Sequence, residues 1–361
     1  MLSTSDFADR FHRYSSSLVF CLAYGRRLTR GDEDEAKSID RVMESFTYAA
    51  RVGTWIVDAL PFLNYLPPFV APRKRYGAKL HAFEADLYQK NLDSAEKSLS
   101  WNWAKQVRSM KEIQGMSDLE IAYDVGIIYE AGSDTTKMAM EVFVMAAVLF
   151  PSVVAKAQRE LDSVVGKNRL PTFEDRDDLP YIQAVVKEVL RWRPVSAGGI
   201  PHATTQEDQY MGYGIPKGAT VIGNHWSIHL DEELYQHPYS FEPMRWIENP
   251  DLPLHAFGFG RRVCTGQHIA KNSLFINVSR LLWGFDIEYV YEECNAYKVR
   301  CEIDPFSMTQ GFNSRPMPFK ASFSVRSAKV EDVITTSWAE AEKDADVLLK
   351  KIRQEQGKPN A

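Results

Sequence analysis

Residues 255–270 read HAFGFGRRVCTGQHIA and set one cysteine, Cys264, among Gly258, Gly260 and Gly266 and beside Arg261 and Arg262. The stretch runs into TGQHIAKNSLFINVSRLLWGF, whose pattern is helical, so the thiol stands just ahead of a helix start. Neighbouring guanidiniums and the positive end of a helix both favour a thiolate. The glycines let the backbone come close to a flat or bulky partner. A metal-ligating thiolate or a nucleophile suits this setting, and an inert structural cysteine suits it equally. A dinucleotide fingerprint would want a glycine at position 263, where Val263 stands, and a preceding strand that LPLHAF hardly offers. Zinc could pair Cys264 with His268, but no second ligand pair has matching spacing. A cysteine hydrolase would need a partner histidine and an oxyanion hole, and that reading stays open.

A second group is EAGSDTTKM, which places Gly132, Asp134, Thr135 and Thr136 inside an otherwise apolar segment. Glycine costs a helix interior about 1 kcal/mol against alanine, and buried Asp and Thr need partners. The group is either a satisfied structural kink or a functional break, and an acid beside a hydroxyl facing a cavity can deliver protons. A third is KEVLR, with Glu188 and Arg191 on one helical face and Arg245 of FEPMRW as a third member. Such pairs are common on exposed helices; this one matters only if it is buried.

The elements that must position these residues are mostly helical. MSDLE opens with a capping box, Ser117 and Glu120, and the apolar run continues to Phe150, where Pro151 opens the next helix. A helix of that length spans roughly 50 Å and, apolar on nearly every face, should be buried. Its successor closes on Gly166, and a further helix is expected from Pro180 to just before Pro194. Residues 33–62 also show helical spacing and end at PFLNYLPPFVAP. There Leu66, Phe69 and Val70 stand beside Arg73, Lys74, Arg75 and Lys79, a pattern for either a solvated loop or a peripheral membrane contact. IPHATTQEDQYMGYGIPKGATVIGNHW alternates and carries GYG and PKG turn signals, so short strands are expected. A charged helix fading into a disordered tail is expected from Trp338. The fold class is therefore mainly α with small β-sheets.

Composition narrows the class further. The 361 residues carry a formal charge of −5, which speaks against a nucleic-acid partner. Four cysteines, at 21, 264, 294 and 301, are too few for a disulfide scaffold of this size and suit a reducing compartment, with Cys294 and Cys301 read as incidental. Neither a signal peptide nor a transmembrane segment is visible. These features leave the location unknown, between the cytosol and the cytosolic surface of the endoplasmic reticulum.

Together and in this order, the three motifs resemble the cytochrome P-450 family of haem-thiolate monooxygenases. FGFGRRVCTG matches the family's cysteine loop through Phe257, Gly260, Arg262, Cys264 and Gly266; AGSDTT matches the oxygen-activation motif through Ala131, Gly132, Asp134 and Thr135; Glu188, Arg191 and Arg245 match its structural triad. The resemblance implies a P-450 fold in residues 1–327, shortened at its N-terminus, with 328–361 as a charged helical tail. It implies haem with Cys264 as axial iron ligand, Arg262 and His202 on the propionates, and Asp134 and Thr135 as proton-delivering catalytic residues. The implied substrate is an apolar small molecule, as in fungal secondary-metabolite biosynthesis. Electrons would come from NADPH through a separate flavoprotein reductase, docked on Arg261, Arg262 and Lys271. The alternatives are a truncated haem-binding protein without activity, and a haem-thiolate isomerase or dehydratase.

Overall fold

The computed structural model describes residues 6–51, 53–294 and 297–356. They form two compact units. One is Met138–Thr336; the other joins Asp6–Lys137 to the C-terminal residues from Ser337.

The long helix runs unbroken over Asp118–Leu149. Its start is the expected box: Ser117 N–H donates to Glu120 Oε2 at 2.7 Å, and Glu120 N–H donates to Ser117 Oγ at 3.3 Å. Burial is uneven along it. Met138–Val148 is almost entirely buried, whereas Leu119, Ile127 and Ile128 are exposed, so the expectation of burial on every face holds only for the C-terminal stretch.

In the Met138–Thr336 unit, Pro151–Val164 and Pro180–Trp192 both start on a proline, whose fixed φ and missing N–H suit the first helical position. Gly166, at φ +71°, turns the chain out of the first, its N–H donating to Leu161 O at 3.2 Å. Gln267–Gly284 packs on both helices. Trp192 and Trp283 are fully buried, with indole N–H groups donating to Tyr239 O (2.7 Å) and Gly166 O (2.6 Å). Four antiparallel strand pairs complete the unit: 202–203 with 220–221, 208–210 with 213–215, 285–289 with 321–325, and 291–294 with 297–300. The GYG signal is the 208–215 hairpin, turned by Met211 (φ +49°) and Gly212 (φ +84°).

In the other unit, Phe7–Tyr24 packs against Pro72–Lys97 and Trp103–Arg108, around buried Phe20, Tyr24, Leu92 and Tyr129. The expected helix over 33–62 stops at Ala49, since the chain turns through Gly53 at φ +83° before the short helices Ile56–Ala59 and Pro61–Tyr65. The C-terminal helix expected from Trp338 is instead two helices, Ala328–Glu340 and Ala345–Gln356. The tail beyond, from Gly357, lies outside the described residues.

Candidate functional site

Glu188 and Arg191 project from the same face of Pro180–Trp192 and both are completely buried. Glu188 accepts five hydrogen bonds: from Arg191 Nε (2.9 Å) and Nη2 (2.7 Å), Arg245 Nε (3.2 Å), Trp246 Nε1 (2.9 Å) and Glu242 N–H (2.9 Å). The remaining guanidinium donors go mainly to backbone, with Arg245 Nη2 shared between His237 O at 3.4 Å and the Glu242 carboxylate at 3.5 Å. Arg191 Nη1 reaches His229 O and Pro238 O, each at 2.8 Å, Arg191 Nη2 reaches Ser240 O at 3.0 Å, and Arg245 Nη1 reaches Gln236 O at 2.7 Å. Burying these charges is unfavourable unless every lone pair and proton is matched, and here the match is what shapes the irregular 229–245 segment. The pair is thus buried, the condition that separated a meaningful motif from a surface one.

That segment leads to the cysteine loop. Tyr235 OH donates to Pro253 O, and His229 Nε2 accepts the His255 N–H at 3.1 Å. Within the loop, Gly258 N–H donates to His255 O (2.9 Å) and Cys264 N–H to Phe257 O (2.8 Å), folding 257–264 back on itself. Gly258 at φ +80° and Gly260 at φ +53° take conformations that side chains disfavour, and a short 3₁₀ turn, Gly260–Arg262, follows. Gly266 caps Gln267–Gly284, and the Gln267 N–H points to Cys264 O at 3.4 Å. Cys264 is an exposed free thiol beside the start of that helix. Among the described residues, neither Arg261 nor Arg262 makes an ion pair.

Phe259 is the loop's contact with the β part of the unit. A side chain at Gly223 would begin 2.6 Å from its ring, so glycine there permits the approach. Two residues earlier, Val221 pairs with His202, an exposed strand residue. Ile200, Val221, Ile222, Phe259 and Val263 present exposed apolar surface. A cleft lined by Phe150, Tyr181, Tyr235, Phe241 and Arg245 lies on the triad side and does not include Cys264.

Asp134 and Thr135 belong to the other unit. Asp134 Oδ1 lies 3.2 Å from Lys137 Nζ and 3.8 Å from His12 Nδ1, while His12 Nε2 lies 2.9 Å from Asp40 Oδ1. Neither imidazole nitrogen has an aligned hydrogen bond among the described residues. Thr135 Oγ1 donates to Ala131 O at 2.9 Å within the helix. Gly132 has a packing reason: a side chain there would begin 2.7 Å from Val19 Cγ2. The helix is continuous through this group.

The family profile described as Cytochrome P450 matches residues 2–299. The chain is 45% identical to cytochrome P450 monooxygenase aneD of Aspergillus aculeatus, over 97% of this chain and 68% of that protein. It is 43% identical to cytochrome P450 monooxygenase drtD of Aspergillus calidoustus (96% and 66%) and 42% identical to cytochrome P450 monooxygenase FrzL of a Cladobotryum species (98% and 68%). The chain belongs to the cytochrome P450 family. It spans about two thirds of the length of these relatives. Zebra fish cytochrome P450 structures, one with abiraterone and one with progesterone, superpose with TM-scores of 0.69 and 0.71 at 23% and 24% identity, covering 90% and 89% of this chain and 72% of each of those chains.

Fold class and enzyme class, a haem-dependent oxidoreductase that incorporates oxygen, are those expected from the sequence. The cysteine loop fits the P450 cofactor on its own chemistry. An exposed thiol offers a soft ligand to iron, Gly260 has nothing within 4 Å of where a side chain would start, and unpaired guanidiniums suit carboxylates. Of the residues expected at the site, the structure brings together Phe257, Gly260, Arg262, Cys264 and Gly266 in one loop, and Glu188, Arg191 and Arg245 in one buried cluster. Three histidines that no motif singled out, His225, His229 and His255, lie against this loop or its neighbours. His225 Nδ1 lies 2.9 Å from Ser196 O, and the His255 ring stacks on Phe259 at 4.6 Å. NHWSIH at 224–229 has two histidines at i,i+4, the one local signal available. Among the described residues no single helix is long and apolar enough to cross a membrane.

Proposed function

We propose that this chain carries the haem-thiolate chemistry of a P450 monooxygenase acting on an apolar small molecule, in the setting of fungal secondary metabolism. The observation that carries the reading is Cys264 itself, an exposed thiol at a helix start in a loop tied to the buried Glu188 cluster. Thiolate-ligated haem, when bound, supplies the activation of molecular oxygen. Cys264 would hold the iron, with Gly258, Gly260 and Gly266 keeping the loop's backbone slim enough for a bulky group to approach. Arg262 and His202 would hold the propionates through charge-assisted hydrogen bonds. Asp134 and Thr135 would take the proton-delivering role, the acid as donor and the hydroxyl as its relay. Electrons would come from NADPH through a separate flavoprotein that docks on Arg261, Arg262 and Lys271.

Supporting the fungal setting are the Aspergillus and Cladobotryum relatives at 42–45% identity. A peripheral membrane contact belongs to the same reading: Phe62, Tyr65 and Phe69 are exposed in the turn that precedes Arg73, Lys74 and Arg75. Sedimentation with anionic vesicles tests that contact; an unchanged bound fraction in a Phe62→Ser, Phe69→Ser variant would remove it. The central test is the absorption spectrum of the protein purified with added haem, reduced and exposed to carbon monoxide. A red-shifted thiolate-type Soret band, lost in Cys264→Ser, supports the assignment. A band typical of a neutral ligand, or a thiolate-type band that survives Cys264→Ser, overturns it.

A further inference from the structure

His229 lies between the Glu188 cluster and the cysteine loop. It is fully buried. Its carbonyl accepts Arg191 Nη1 at 2.8 Å, which ties its main chain to the Glu188 cluster. Its ring Nε2 accepts the His255 N–H at 3.1 Å, which ties its side chain to the first residue of the cysteine loop. From His255 the connection continues through bonds already within the loop, Gly258 N–H to His255 O and Cys264 N–H to Phe257 O.

An imidazole can accept at Nε2 only when that nitrogen carries no proton, so the ring is neutral with its proton on Nδ1. Nδ1 is buried and has no hydrogen-bond partner among the described residues. An unpaired buried donor is unfavourable, and a residue chosen for packing alone would not bring one. The surroundings enforce the neutral form: burial first, then the charges of His225, Arg191 and His255, push the imidazole down to about 3. The ring is also boxed in, with His225 stacked at 6.2 Å and Tyr235 edge-on at 6.2 Å between centroids.

We propose that His229 is a positioning residue, the latch through which the Glu188–Arg191–Arg245 cluster sets where the cysteine loop begins and hence where the Cys264 sulfur stands. Its bearing on the thiolate rests on the haem-thiolate reading; the latch itself does not.

Two readouts separate these. The first, on the purified chain without haem, is amide hydrogen exchange by mass spectrometry in peptides covering 255–266 and, as control, 181–192. The second is the share of thiolate-type band in the reduced, carbon monoxide-bound protein with haem. In His229→Phe, which keeps a ring but no acceptor, loop exchange should accelerate tenfold or more, with the control peptide unchanged and the thiolate share reduced. His229→Gln, whose amide oxygen can accept the same N–H, should restore most of both. Loop exchange equal to the parent in His229→Phe, or a Gln variant no better than Phe, overturns the latch. If the Phe variant fails to fold, His229→Asn decides: its shorter amide should leave the loop exchanging faster than in the Gln variant, and equal rates overturn the latch. A parent protein with no thiolate-type band defeats the haem-thiolate reading, while the exchange measurement still decides the latch.

Discussion

The Glu188 cluster and the Asp134 group are both acid–base constellations on helices, one in each compact unit, and they differ in how completely their atoms are matched. Glu188 is fully buried and accepts five hydrogen bonds of 2.7–3.2 Å, and its two arginines spend their remaining donors on backbone carbonyls and on the Glu242 carboxylate. Asp134 is partly exposed, holds Lys137 at 3.2 Å, and looks at His12 across 3.8 Å. A closed network permits one geometry, because any displacement strands a buried charge. An incompletely matched acid can exchange partners at little cost. The first arrangement suits a scaffold, and the second suits a group whose partners change.

The largest expected effect is spectroscopic. Cys264→Ser should remove the thiolate-type band entirely while shifting stability by less than about 0.5 kcal/mol, as expected at an exposed site; equilibrium urea unfolding alongside the spectrum checks both halves. Next is Glu188→Ala, which leaves two buried guanidiniums without their carboxylate and should cost about 3–5 kcal/mol, or prevent folding. A loss under 1 kcal/mol in urea unfolding would mean that the cluster is not the closed network described. Gly132→Ala sharpens the other side of the comparison. Its methyl would meet Val19 Cγ2 at 2.7 Å, so about 1–3 kcal/mol should be lost and largely recovered by adding Val19→Ala. No recovery in the double variant would return Gly132 to a role beyond packing.

The smallest effect concerns pH. Arg169, with the Thr172 N–H, holds the Asp175 carboxyl down at about 2, below its ordinary 3.8. A depressed folded-state value means that this stabilisation is present above pH 4 and is lost as pH falls through about 2. Acid unfolding of Asp175→Asn should therefore show a shallower slope between pH 4 and 2; an identical slope would place the acid sensitivity elsewhere. By contrast His229, pushed down from its ordinary 6.5 to about 3, is protonated in the unfolded chain before the folded one, so it lowers stability as pH falls from about 6.5 to about 3, a slope that Asp175→Asn should leave unchanged.

Much of this was legible in the residues themselves. Prolines at 151 and 180, the Ser117–Glu120 box and Gly166 mark helix ends by local chemistry, and the helices end there. The helix Phe7–Tyr24 was not legible, because its buried face includes Ser15, Ser16 and Ser17. Those hydroxyls are satisfied by partners distant in sequence, such as Ser16 with Tyr129 and Ser15 with the Ser133 carbonyl. The run at 33–62 misled for the opposite reason: its apolar spacing continues past Ala49 while Gly53 breaks the backbone.

The three motifs, their order and the family they belong to were determined by sequence alone, because residue type and spacing suffice to specify a thiol before a helix, an i,i+3 ion pair and a capped central helix. What only the tertiary structure decided is which polar groups are closed and which stay adjustable. Burial and partner geometry are properties of packing: they turned Glu188 and Arg191 into a fully matched core, gave Gly132 a neighbour in Val19, and set His229, unmarked by any motif, between that core and the cysteine loop.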